Sequence, residues 1–80
     1  MEPIELEDLA YILQDLYNTF MIEPDDVGMS FDEIYMYVEQ FEMNEDMLFS
    51  FIRDKAKENG ANINWWPIEK DFKSGYLSAP

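Results

Sequence analysis

The sequence predicts an all-α domain: a small three-helix bundle with a Trp-bearing C-terminal segment packed across it. Apolar residues recur every three to four positions in three separate stretches, which is the period of an amphipathic helix. Two helix start signals, Ser30 and Asn44, stand directly before the second and third of these stretches. The chain has 80 residues, which is the size of one domain.

The first predicted helix covers residues 4–20. Pro3 suits the first turn, where its missing N–H costs little, and acidic residues follow at the end where the helix dipole favours them. The expected buried stripe contains Leu6, Leu9, Leu13, Leu16, Tyr17 and Phe20. The residues expected outside this stripe are Asp8, Tyr11, Ile12, Asp15 and Thr19.

Residues 21–29 are expected to form a loop, because Pro24 and Gly28 both interrupt helices. The second helix is predicted over 31–41. Ser30 and Glu33 have the spacing of a capping box, in which each side chain bonds the other residue's backbone N–H. The expected buried stripe of this helix is Ile34, Tyr37, Val38 and Phe41.

The third helix is predicted over 45–58, between the Asn44 cap and Gly60. Its expected inner face contains Leu48, Phe51, Ile52 and the stem of Lys55. Residues 61–77 form the C-terminal segment, with an extended piece over 62–65, a short fourth helix from Pro67 to Gly75, or both. We expect this segment to close the open side of the bundle, since three short helices bury little area alone.

Charge is unevenly distributed along the chain. The first fifty-two residues contain fourteen carboxylates and no lysine, arginine or histidine, whereas all five basic residues follow them. The net charge is −13, which disfavours nucleic acid and anionic membranes as direct partners. Basic protein surfaces are the expected partners, and the few cations near the C-terminus leave a homodimer open.

The cation-free region predicts a docking surface. Solvated helix faces usually mix both signs, because like charges four residues apart are destabilising. Fourteen charges spread over a domain about 30 Å across give about one per 2 Å, close to the one per 1.7 Å of duplex DNA. This spacing favours a small acidic inhibitor that imitates nucleic acid, as phage counter-defence and nuclease immunity proteins do. The alternative is a non-inhibitory interaction module whose acidity serves solubility.

The candidate partner-binding residues combine carboxylates with apolar anchors. Exposed aromatic anchors inside a charged rim hold a partner more firmly than charge alone. Five apolar residues lie off the predicted stripes, and they either anchor a partner or pack on the C-terminal segment: Tyr11, Ile12, Tyr35, Met36 and Phe49. The candidate site contains Asp8, Tyr11, Asp15, Asp25, Asp26, Asp32, Tyr35, Met36 and Glu39.

Catalysis, cofactors and metals receive little support. The chain has no histidine and no cysteine, so it lacks the usual nucleophile and base pairs. The acids between the first two long helices have the wrong spacing for a calcium-binding EF-hand, because Ile34 falls where the closing glutamate is required. The lack of cysteine, of a signal-like N-terminus and of a long apolar run predicts a cytosolic protein that does not span a membrane.

One short segment suggests a third class. Gly28-Met29-Ser30-Phe31 resembles the Gly-x-Asp-Ser-Leu signature of acyl carrier proteins, which are small, acidic and helical. One residue of the signature is missing, and Met29 replaces its aspartate. The resemblance implies an attachment role for Ser30, whereas the capping box explains the same serine structurally.

Overall fold

The computed structural model describes residues 3–74, and within that range it contains five α-helices and no strand. The helices are α1 (Leu6–Phe20), α2 (Pro24–Val27), α3 (Phe31–Phe41), α4 (Glu45–Glu58) and α5 (Trp65–Ser74). The all-α prediction is therefore confirmed. Three of the helices, α1, α3 and α4, agree with the predicted ranges to within two residues.

The α1 helix is rotated relative to the predicted stripe. Ile12 is fully buried, although it was expected outside the stripe, whereas Leu6 and Tyr17 are 53% and 42% exposed. The buried face of α1 consists of Leu9, Ile12, Leu13 and Leu16. The prediction was wrong here because residue spacing defines only a broad apolar face of the helix. The neighbouring helices decide which part of that face is buried.

The predicted loop over 21–29 contains the short helix α2. Pro24 occupies its first turn, and the Asp26 carboxylate accepts a hydrogen bond of 2.9 Å from the Glu23 backbone N–H. Gly28 ends the helix with a φ of +77°. The Asn59 side chain, at the end of α4, donates to the backbone carbonyl of Asp25 at 2.7 Å. This bond ties the end of α4 to α2.

The start of α3 is the predicted capping box. The Glu33 N–H donates to the Ser30 hydroxyl at 3.2 Å, and the Ser30 N–H donates to the Glu33 carboxylate at 3.3 Å. The predicted buried stripe of α3 is correct for Ile34 and Val38. It is wrong for Tyr37 and Phe41, which are 38% and 53% exposed, because the outer edge of the α3–α4 contact leaves their rings partly uncovered.

The Asn44 cap of α4 is also confirmed, since its side chain accepts from the Met47 N–H at 2.9 Å. The buried face of α4 is Leu48, Phe49, Ile52 and Ala56. Phe49 was expected either to anchor a partner or to pack on the C-terminal segment, and the second alternative is correct: its ring lies 5.2 Å from that of Phe72 on α5. Phe51 and Lys55, which were expected on the inner face, are only half-buried.

The C-terminal segment is helical from Trp65, so the fourth-helix alternative is correct and residues 61–64 form no strand. Ile68 and Phe72 are the buried residues of α5. Trp65 is half-buried, with its ring 6.1 Å from that of Phe49, whereas Trp66 is 68% exposed with the Lys70 ammonium 4.8 Å from its ring centre. The predicted end at Gly75 lies outside the described residues.

Candidate acidic interface

The carboxylates of the cation-free region, residues 3–52, lie at or near the surface. Fourteen carboxylates precede Arg53, and thirteen of them remain when Glu2, outside the described residues, is set aside. Nine of the thirteen are exposed and four are half-buried. The interior of the described chain contains no buried polar or charged residue. The apolar core therefore neutralises none of these carboxylates, although one oxygen of the half-buried Glu45, Oε1, is itself buried and has no hydrogen-bond partner in the described structure.

Ion pairs in the described residues are confined to the basic region, residues 53–74. The pairs are Arg53–Asp54 at 3.3 Å, Lys55–Glu58 at 3.4 Å and Lys73–Glu69 at 2.7 Å. Each joins residues no more than four positions apart on the same helix. Between residues 3 and 74, no carboxylate of the cation-free region forms an ion pair.

The Lys73–Glu69 pair shifts both of its members. The hydrogen bond and charge of Lys73 lower the pKa of Glu69, and those of Glu69 raise the pKa of Lys73. Asp46 adds a smaller contribution that also raises the pKa of Lys73. Both members of the pair are at the surface, so the interaction is screened by solvent and contributes little to stability.

Two surface pockets are each lined by residues of both α1 and α3, and we refer to them together as the α1–α3 groove and singly as its larger and smaller chambers. Their volumes are about 600 Å³ and about 490 Å³, each within the range of volumes that ligand clefts occupy. The larger chamber lies between the C-terminal half of α1 and the start of α3, and its apolar lining includes Ala10, Leu13, Tyr17, Phe31 and Tyr35. The smaller chamber lies at the start of α1 and the end of α3, and its apolar lining includes Pro3, Ile4, Leu6 and Val38.

Acidic side chains line both ends of the α1–α3 groove. Glu5, Glu7, Glu39 and Glu42 surround the smaller chamber. Glu23 and Asp25 lie at the larger one. All six are exposed, and no basic residue lines either chamber. An apolar floor whose only charged neighbours are acidic is suited to a partner that presents apolar and cationic groups together.

Three of the nine predicted site residues line the α1–α3 groove. Asp25 and Tyr35 lie together at the larger chamber, and Glu39 lies at the smaller one. Tyr35 is half-buried there, so its ring forms part of the groove wall and is only partly available as an exposed anchor.

The other six predicted residues lie elsewhere. Asp8, Tyr11 and Asp15 line neither chamber of the groove. At 100° per residue they fall on the side of α1 away from the groove-lining Leu6, Ala10 and Tyr17, and Asp15 accepts a hydrogen bond of 3.0 Å from Thr19. Asp26 serves the α2 cap. Asp32 and Met36 are exposed on α3.

Sequence reasoning missed several groove residues. Leu6 and Tyr17 were assigned to the core, and Phe31 was assigned no role. Glu5, Glu7, Glu23 and Glu42 were not nominated as site residues. One signal was available: the predicted α1 stripe contained six large apolar residues, which is more than one short helix buries against a small core.

A second apolar surface lies between α3 and α4. The ring of Tyr37 stands 6.0 Å from that of Phe41 and 5.2 Å from that of Phe51. Met47 is 44% exposed and, by its position on α4, falls on the same side as Phe51. These contacts make an aromatic surface patch outside the α1–α3 groove.

No cluster of three or more acidic side chains in residues 3–74 could hold a metal ion. The Ser30 hydroxyl is committed to the α3 cap, which accounts for this serine without an attached group. No helix within the described residues has both the length and the apolar character needed to cross a membrane. No family model, curated protein or solved structure matches this chain.

Proposed function

We propose that this chain is a small acidic inhibitor that occupies the basic, nucleic-acid-binding surface of a partner protein and so competes with nucleic acid. The observation that carries the proposal is the absence of ion pairs from the thirteen described carboxylates of the cation-free region. An unpaired carboxylate exerts its full attraction on an approaching cation, whereas a paired one must first lose its neighbour.

The charge spacing supports imitation of a nucleic-acid backbone. The longest dimension of the molecule is 32 Å, so thirteen carboxylates spread along it correspond to about one charge per 2.5 Å. Duplex DNA carries one per 1.7 Å or so. The two densities are close enough for the same basic surface to attract either molecule.

Apolar anchors add affinity that charge does not supply. Exposed charges accelerate association and make it sensitive to salt, but they contribute modestly to the lifetime of a complex. Tyr11 and Met36 are 57% and 66% exposed, and Tyr35 lines the groove. The proposed contact set is that of the sequence prediction: Asp8, Tyr11, Asp15, Asp25, Asp26, Asp32, Tyr35, Met36 and Glu39.

One observation favours a second function, a non-inhibitory interaction module whose acidity serves solubility. The carboxylates are distributed over α1, α2 and α3, and Asp8 and Asp15 lie on the opposite flank of α1 from the α1–α3 groove. A charge distributed in this way keeps copies of a protein apart in solution. The aromatic patch around Tyr37 and Phe41 would then be the contact surface of the module.

The two functions differ in their response to salt, DNA and charge neutralisation. The immobilised chain is used to capture partners from a lysate at low and high salt, and the captured protein is then challenged with duplex DNA. We expect a basic protein that is released by salt and by DNA. The variant Asp8→Asn/Asp15→Asn/Asp32→Asn should capture less of it. A captured protein that is acidic or indifferent to DNA, with capture unchanged in the variant, would establish the interaction module instead.

Under this proposal the protein acts in the cytosol, where nucleic-acid-binding partners are found. It acts by occupying a surface and catalyses no reaction. It binds no nucleic acid directly, because its carboxylates repel phosphates.

A further inference from the structure

We propose that the α1–α3 groove binds one amphipathic α-helix of the basic partner, with two apolar anchors about two turns apart and lysine or arginine on both flanks. This inference rests on the proposed function, because it identifies which part of a basic partner the acidic surface receives. A groove that binds a helix gives the complex a specific site, whereas attraction between opposite charges alone would not.

The positions of the two chambers set the anchor spacing. On α1, the larger chamber is lined from Ala10 to Tyr17 and the smaller one at Leu6 and Glu7. The centres of these two sets are about seven residues apart, or about 10 Å at 1.5 Å per residue. On α3, the two sets are Phe31 with Tyr35, and Val38 with Glu39 and Glu42, which are again separated by about 10 Å. Both walls therefore give the distance between residues i and i+7 of a bound helix.

The groove contains apolar surface that the fold leaves uncovered. Leu6 and Tyr17 are 53% and 42% exposed, one at each chamber. Val38, at the floor of the smaller chamber, is itself buried, so the floor of this chamber belongs to the packed core. Large apolar side chains that enter such sites from a helix are a common mode of recognition.

The rim selects the charge of the occupant. Glu5, Glu7, Glu39 and Glu42 surround one chamber, and Glu23 and Asp25 lie at the other. A helix whose flanking positions carry lysine or arginine would place cations beside these carboxylates at both ends. A second copy of this chain is the poorer occupant, because its own groove presents the same acids and three of its five cations are in local ion pairs.

The test uses fluorescently labelled helical peptides of about five turns and measures binding to the full chain by fluorescence anisotropy. The first peptide carries leucine at i and i+7 among lysine, alanine and glutamine. The second has the same composition with the two leucines at i and i+9, which lie on opposite sides of a helix. We expect the first peptide to bind at least tenfold more tightly than the second.

Matched variants of the chain locate the site. Tyr17 lines the groove, whereas Tyr37, which is similarly exposed on α3, does not. We expect Tyr17→Ala to weaken the first peptide about tenfold and Tyr37→Ala to change it less than about twofold. Likewise Glu7→Gln/Glu39→Gln should weaken it more than Asp54→Asn/Glu58→Gln, although both pairs remove the same charge. The urea midpoint and the circular dichroism of each variant verify that it folds.

The outcomes separate this inference from the proposed function. No binding of the first peptide, equal binding of the two peptides, or equal effects of the two tyrosine variants would overturn the groove site. In that case displacement of DNA from a basic protein by the full chain would still uphold the proposed function. If the groove binds the first peptide with the expected variant pattern but the chain displaces no DNA, the proposed function is wrong and the helix site stands alone.

Discussion

The two regions of the chain treat charge in opposite ways. In the basic region, residues 53–74, three of the five cations form short-range ion pairs with acids one to four positions away. In the cation-free region, residues 3–52, the carboxylates form no ion pair in the described structure. None of the five cations is therefore paired with an acid of the other region. The segregation of charge along the sequence therefore survives folding.

This difference shows what holds each region in place. Local ion pairs at the surface are screened by solvent and contribute little to stability, so they do not explain the fold of either region. The cation-free region must overcome repulsion among its carboxylates, and the only opposing contribution of sufficient size is the burial of apolar side chains. We therefore expect substitutions in its core to have the largest effects.

The largest expected effect is that of Ile12→Ala. Ile12 is fully buried, and its replacement leaves a cavity that costs about 2–4 kcal/mol in the free energy of unfolding. Leu6→Ala is the matched control, because Leu6 is on the same helix but 53% exposed and should cost less than about 1 kcal/mol. Urea denaturation measures both. Equal losses, or a larger loss for Leu6→Ala, would contradict the packing of α1 seen in the structure.

The next effect concerns the contact between the two regions. Gly28 has a φ of +77°, and an added Cβ would lie 3.2 Å from the Asn59 side chain. Gly28→Ala should therefore cost about 1–2 kcal/mol, from backbone strain and from disturbance of the Asn59 bond. Gly60 is the control: its φ is +79° but no atom lies near its added Cβ, so Gly60→Ala reports the backbone strain alone. Urea midpoints that fall equally in both variants would show that the Asn59 contact is unimportant.

The sequence predicted the parts of the fold that depend on near neighbours. The caps at Ser30 and Asn44 were correct because each involves residues only three positions apart. The predicted stripe of α1 was wrong because the exposure of Leu6 and the burial of Ile12 depend on which face of the helix is covered by residues distant in sequence. The α2 helix was missed because the proline and acids that start a helix of four residues also start a turn.

The site was less predictable than the fold for the same reason. Charge content, the lack of nearby cations and the exposure of Tyr11 and Met36 could be inferred from the chain alone. The α1–α3 groove could not, because its chambers are created by the spacing of two helices whose facing residues, such as Tyr17 and Tyr35, are separated by a turn and a short helix. Glu39 and Asp25 were nominated for their charge, and their position in the groove was learned from the structure.

A smaller effect is expected from salt. Repulsion within the cation-free region should weaken as screening shortens from about 30 Å at 0.01 M to about 3 Å at 1 M. Added sodium chloride should therefore raise the urea midpoint, by the equivalent of about 1 kcal/mol or less. The variant Asp8→Asn/Asp15→Asn/Asp32→Asn should respond less to salt than the unsubstituted chain. An unchanged response would mean that these carboxylates do not repel one another appreciably.

The smallest effect is that of the Lys73–Glu69 pair. The pKa of Glu69 is lowered from its usual value of 4.5, so its contribution is present above that pH and is lost as the pH falls through the lowered value. The pKa of Lys73 is raised from 10.5, so its contribution is present below that pH and is lost as the pH rises through the raised value. Lys73→Met should leave the urea midpoint at pH 7 almost unchanged. In NMR titrations, however, it should return the pKa of Glu69 toward 4.5, and a pKa that stays low would show that Lys73 is not its cause.

The central claim is that unpaired carboxylates, and not net charge, attract the partner. Two triple variants test it, because each removes three negative charges but from a different region. The first is Glu7→Gln/Glu39→Gln/Glu42→Gln in the cation-free region, and the second is Asp54→Asn/Glu58→Gln/Glu69→Gln in the basic region. The measurement is displacement of labelled duplex DNA from a basic DNA-binding domain at low salt. We expect the first variant to displace DNA about tenfold less effectively and the second less than about twofold less effectively. Equal losses would contradict the claim, since they would mean that net charge alone determines the displacement of DNA.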